Sequence, residues 1–151
     1  MVPIMKHLRM FFILLITILT LFGCNRRERY AFSEGVENIC SVQIVDVAVD
    51  ECISLRNIGN ISVIHDIDKD ARASFIDDLR NVPCYKYWND PPNYIAGTSI
   101  MIVYNSGIME LISPVSTAIF TPEGSHGGKW RYTRYYFEQD QFYNMVSRYN
   151  Y

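Results

Sequence analysis

The sequence predicts an α+β domain: an antiparallel β-meander with one central and one C-terminal helix packed on one face. Three observations predict it. Stretches rich in β-branched residues recur with turn residues at short spacing, two segments repeat apolar residues at helical spacing, and the order is strands, helix, strands, helix. A chain of 151 residues and 17.6 kDa, 49% hydrophobic and 20% charged, suffices for one core and is too apolar for a disordered polypeptide. Its formal net charge of -2 shows no basic excess of the kind that drives nucleic-acid binding, so nucleic acid is not an expected partner.

The elements follow in chain order. Sixteen of the first 23 residues are apolar, and Met10 to Phe22 is uncharged behind Lys6, His7 and Arg9. That is the plan of a secretory signal peptide, a basic flank followed by a short apolar run. As a helix the run reaches only about 20 Å against a hydrocarbon core of roughly 30 Å, which argues against a permanent transmembrane span.

The run ends in Leu21-Phe22-Gly23-Cys24, which resembles the lipobox of bacterial lipoproteins, with Leu three residues before Cys and a small residue just before it. The resemblance implies that residues 1–23 are removed and that Cys24 becomes a lipidated N-terminus. It also implies a membrane anchor on the extracytoplasmic face of the bacterial cell membrane. Each buried methylene contributes about 0.8 kcal/mol, so two or more acyl chains anchor stably where one does not. Residues 24–37 then read as the lipidated cysteine and a polar, flexible tether with a reach of about 20 Å, leaving 38–151 as a single α+β domain.

In Ile39 to Val49 the alternation changes parity near Val45, as expected of a bulge at Asp46 or of a strand buried on both faces. Ile53 to Leu55 and Ile61 to Ile64 continue the strand character. Asp66 or Asp68 is expected to cap a helix carrying Ala71, Phe75, Ile76 and Leu79 on one face, closed by Asn81-Val82-Pro83. Cys84 to Gly97, with two prolines and four aromatic residues, reads as an irregular or edge segment. Thr98 to Tyr104 is a strand, Asn105-Ser106-Gly107 a hairpin signal, and Ile108 to Ile112 the returning strand. Ser116 to Thr121 and Lys129 to Tyr136 are two further strands around the loop Pro122 to Gly128. Phe142, Met145, Val146 and Tyr149 share a face of the closing helix, behind Glu138 and Asp140 in its first turn. This layout, with Gly97-Thr98-Ser99-Ile100-Met101-Ile102-Val103-Tyr104-Asn105-Ser106-Gly107 at its centre and Phe142-x-x-Met145-Val146-x-x-Tyr149 at its end, looks like small uncharacterised bacterial lipoproteins. That resemblance implies one compact extracytoplasmic domain and no particular activity.

Four constellations bear on chemistry. Asp66, Asp68, Asp70 and Asp77 imitate the spacing of a calcium loop, but Ala71 stands where Gly is needed and Asp77 where a bidentate Glu is needed. Helix capping accounts for the same acids, and no two His or Cys stand at zinc-binding spacing, so no metal or other cofactor is expected. Behind Cys24, the cysteines Cys40, Cys52 and Cys84 are odd in number. The expected arrangement is one disulfide and one free thiol, with Cys40 and Cys52 suited to adjacent strands and the pairing left open. Cys84 with His65 or His126 as base is a conceivable thiol enzyme without a recognisable signature. The third constellation, Lys129 to Tyr136, puts Trp130, Tyr132, Arg134 and Tyr136 on one face of a strand. Lys129, Arg131, Thr133 and Tyr135 then fall on the other, read as the solvent side. The fourth is Tyr85, Tyr87, Trp88 and Tyr94, rings suited to a recognition surface.

No catalytic set emerges, and without the leader the chain has 12 basic and 16 acidic residues, a net charge of -4. Ten of its eleven tyrosines lie from Tyr85 onward. The leading expectation is therefore a membrane-anchored, non-enzymatic binding domain that meets an envelope protein or glycan through Tyr85, Tyr87, Trp88, Tyr94, Lys129, Arg131 and Tyr135. The alternatives are a small envelope hydrolase or thiol enzyme using Cys84, and an inhibitor or immunity-type protein.

Overall fold

The computed structural model describes residues 27–48, 61–87, 95–123, 127–133 and 135–149, together with Met10 and Ile13. Cys24, Cys52, Trp88, Tyr94, His126 and Arg134 lie outside the described residues, and so do nearly all of residues 1–23.

Strands β1 (Ile39–Val47), β2 (Ile61–Asp66), β4 (Gly97–Tyr104), β5 (Met109–Ile112), β6 (Thr117–Pro122) and β7 (Gly128–Tyr132) form an antiparallel sheet in the order β2-β1-β4-β5-β6-β7. A short antiparallel ladder pairs β3 (Cys84–Lys86) with β8 (Tyr135–Phe137). Helix α1 spans Lys69–Asn81 and α2 spans Gln139–Ser147. The chain is thus α+β, as its periodicities predict.

Both helices lie on one face because their apolar stripes have one place to go. Phe75, Ile76 and Leu79 of α1 and Phe142, Met145 and Val146 of α2 join Val42, Ile44, Ile100, Ile102 and Ile112 of the sheet in a single buried cluster. The other sheet face carries a second, smaller core of Val45, Val47, Ile95, Leu111, Ala118 and Trp130. That division explains the parity change near Val45. Val42 and Ile44 face the helices, while Val45 and Val47 serve the second core, so β1 is buried on both sides. A register shift against β2 falls between Ile44 and Val45, and Ile64 is the residue left over on β2.

The β4–β5 hairpin turns at Asn105-Ser106-Gly107, where Gly107 sits at φ 85°, a backbone state that strains any residue with a Cβ. Asp68 occupies the cap position of α1, but its backbone carbonyl, rather than its carboxylate, accepts from Ala71 and Arg72, both at 3.0 Å. At the far end of α2, the Tyr149 hydroxyl donates to Asp78 Oδ2 at 2.8 Å and Arg148 pairs with the same carboxylate at 3.3 Å, tying α2 to α1.

Two expectations are corrected. The strand expected over Lys129 to Tyr136 is two strands in two ladders. The amide of Thr133 donates to Thr117 O at 2.7 Å and the two threonine hydroxyls bond each other, ending β7, after which β8 leaves to pair with β3. Consequently the segment from Cys84 opens with a strand. The second correction concerns the tether. From Arg27 the chain is seated on the domain: Glu28 N–H donates to Cys84 O at 2.8 Å, Arg27 Nη2 to Asn81 O at 3.0 Å, and Tyr30 is buried. Aromatic burial outweighs the polar character of its neighbours, because a buried tyrosine removes a large apolar area from water.

Candidate functional site

The β3–β8 ladder sets cross-strand neighbours Cys84 with Phe137, Tyr85 with Tyr136, and Lys86 with Tyr135. Alternation therefore splits the aromatic residues between two faces. Cys84 and Phe137 point into the core. Tyr85 and Tyr136 point away from it, their rings stacked at 5.4 Å between centroids and 29° between planes, and Tyr87 extends the row at 4.5 Å from Tyr136. The Tyr87 hydroxyl donates to Val115 O at 3.0 Å, fixing that ring to the loop before β6. All three rings are half-buried, so each is held by its neighbours and still presents an edge to solvent. Such a row suits the flat faces of sugars, prolines or other rings.

Behind this row lies an unexpected polar centre. Glu110 on β5 shares the helix-side face with Ile108 and Ile112 and is fully buried. Its Oε2 accepts from the Tyr30 hydroxyl at 3.3 Å, and its Oε1 accepts from the backbone N–H of Ser33. The buried Tyr104 hydroxyl faces the same carboxylate without a hydrogen bond of good geometry. Burial raises the Glu110 carboxyl above its ordinary value, and the bonds from Ser33 and Tyr30 oppose that only in part. Burial and the neighbouring Glu110 charge raise the Tyr30 phenol well above its own. The Tyr30 ring packs edge-on against Phe32 and Tyr135 and tilts on Phe137, at 5.2–5.3 Å between centroids. Residues 27–35 thus form a strap locked down by aromatic packing and one buried carboxylate. Between the strap and the end of α1 runs a groove of about 520 Å³ lined by Arg29, Tyr30, Asp77, Arg80 and Asn81.

Of the residues expected to form an interaction surface, Tyr85 and Tyr87 come together. Tyr135 does not join them: it lies on the inner side, against Tyr30, with the Lys86 ammonium 5.6 Å from its ring. Lys129 and Arg131 are exposed on β7, at an edge of the main sheet, while Trp130 between them is buried, in agreement with their solvent-side reading. Tyr136, expected beside Trp130, is instead the centre of the tyrosine row. Alternation in Ile108, Glu110 and Ile112 was the available signal for the buried carboxylate.

Cys84 is a poor nucleophile. It is fully buried, and burial, reinforced by the Glu28 charge, pushes its thiol up to about 12. His65 belongs to β2 in the other sheet. Cys40 is exposed with a free thiol. Among the described residues no group of three His, Cys, Asp or Glu side chains is placed to hold a metal ion, and no helix is long and apolar enough to cross a membrane. No protein-family model, curated protein or solved structure matches the chain.

Proposed function

We propose that this chain is a bacterial lipoprotein, cut before Cys24 and lipidated there, whose domain is a non-enzymatic binding module on the extracytoplasmic face of the membrane. Its contact surface is the row Tyr85, Tyr87 and Tyr136, and its partner an envelope protein or glycan. The observation that carries the binding reading is the stacking of these three half-buried rings on the outward side of a ladder whose inward side is core. Pre-ordered aromatic side chains lose little conformational freedom on contact, which favours affinity. The lipobox residues Leu21 to Cys24 and the apolar run before them support the anchor. The buried, high-pKa thiol of Cys84 weighs against a thiol enzyme.

Capture from envelope extracts, using the full chain and a Tyr85→Ala/Tyr136→Ala variant, tests the reading. A protein or wall fragment held by the first and lost by the second supports it. No capture above background by the unaltered chain rejects the binding module. If the captured protein is an enzyme that the domain silences, the module is an inhibitor or immunity-type protein. Intact mass tests the anchor separately, since an acylated Cys24 is expected and an unmodified one rejects it.

A further inference from the structure

The seated strap places a cluster of arginines beside the anchor. Cys24 is three residues from Arg27, and three residues of any conformation span at most about 11 Å. Arg27 is fixed on the domain through Asn81 O, at the C-terminal end of α1. Next to it Arg80 holds its guanidinium 5.5 Å above the Phe32 ring, an arrangement that orients the group without neutralising it. Its carboxylate neighbour Asp77 is at 4.0 Å and largely exposed, a contact of little strength. Arg29 is exposed and has no ion-pair partner among the described residues. Arg29, Arg80 and Asn81 line the same groove, with Asp77 as the carboxylate in its wall and Glu28 and Glu34 as the acids of the strap.

We propose that this groove is a binding site for the phosphate of anionic lipid headgroups, so that the domain rests on the bilayer with the strap and the end of α1 facing it. The inference rests on the lipoprotein reading and adds to it a fixed orientation and a lipid class. Guanidinium groups present parallel N–H donors that match phosphate oxygens, and the Asn81 amide adds another donor. A Debye length of roughly 8 Å at physiological salt is comparable with the covalent reach from Cys24 to Arg27, and the docked strap brings Arg80, on α1, beside these strap charges. On the free tether expected from sequence, with its reach of about 20 Å, Arg27 and Arg29 would keep their place near the anchor and Arg80 would lose it.

The test uses the full chain, purified from membranes and reconstituted in nanodiscs of phosphatidylcholine alone or mixed with phosphatidylglycerol. Amide exchange over residues 27–33 and 77–82 is expected to slow in the anionic discs, by about fivefold for each arginine engaged. High salt should erase the difference, and so should Arg29→Glu/Arg80→Glu, with exchange elsewhere unchanged as evidence of folding. Equal exchange in the two lipids, or a difference that survives high salt, overturns the headgroup site. Intact mass of the same samples keeps the two readings apart: acylated Cys24 with equal exchange rejects the headgroup site alone, and unmodified Cys24 rejects the anchor and this site with it.

Discussion

The Tyr30 hydroxyl donates to the Glu110 carboxylate at 3.3 Å, joining positions 80 residues apart in the chain. One residue belongs to the strap and the other to the interior of the main sheet, so the bond reports whether the strap is seated.

Removing either partner should therefore loosen the strap before it unfolds the sheet. Tyr30→Phe keeps the ring and deletes one donor to a buried carboxylate, at an expected cost of about 1–3 kcal/mol. Tyr30→Ala also deletes the aromatic packing and should cost about 3–5 kcal/mol. Urea unfolding gives both values, and amide exchange at residues 27–35 should rise more than exchange in β4. Equal effects on strap and sheet would contradict a separable strap.

Glu110 also makes stability depend on pH. Its folded-state pKa is raised above the ordinary 4.5, so the folded state binds the proton more tightly than the unfolded chain does. The sign follows. Its contribution is fully present below about 4.5 and is lost as pH rises through the folded-state value. Glu110→Gln, which cannot ionise, should flatten this dependence. The stability difference between the unaltered chain and the variant, measured by urea at a series of pH values, is expected to favour the unaltered chain progressively less as pH rises above 4.5.

The thiols should separate by reactivity. Alkylation of the native protein followed by mass mapping is expected to label exposed Cys40 quickly and to leave Cys84 unlabelled until denaturant is added. Cys84→Ala should lower stability through lost packing and leave partner capture unchanged. Loss of capture by a stably folded Cys84→Ala protein would revive the thiol chemistry.

Trp130 tests the second core. Its ring lies 5.4 Å from Phe120, and its indole N–H is buried without a hydrogen-bond partner among the described residues. Trp130→Ala should cost about 3–5 kcal/mol. Trp130→Phe should cost much less, because it removes an unsatisfied donor along with part of the ring. Thermal unfolding of the two variants gives the comparison.

Local signals were legible and distant pairings were not. The hairpin at Asn105-Ser106-Gly107 and the stripes of α1 and α2 depend on neighbours a few residues apart, and periodicity exposes them. The three-residue strands β3 and β8 pair across some fifty residues, too short to carry a period of their own. The break after Tyr132 was hidden for the same reason: ring and charge alternate through residues 129–136 whether or not the chain changes ladders. The strap was concealed by composition, since Arg27, Glu28 and Arg29 dominate the segment and Tyr30 and Phe32 are only two rings within it. Hence the tyrosine row was half-visible, as Tyr85 and Tyr87, while its centre at Tyr136 required the ladder.

The seat of Tyr30 imposes an order of events on folding. Its walls come from Tyr104, Glu110, Tyr135 and Phe137, the last two within seventeen residues of the C-terminus. A chain synthesised from its N-terminus presents Tyr30 long before those walls exist, so the strap cannot be fully seated until β8 has been made. Without Tyr135 and Phe137 of β8, Tyr30 has only part of its aromatic seat, so the closing of the strap depends on a segment made more than a hundred residues later.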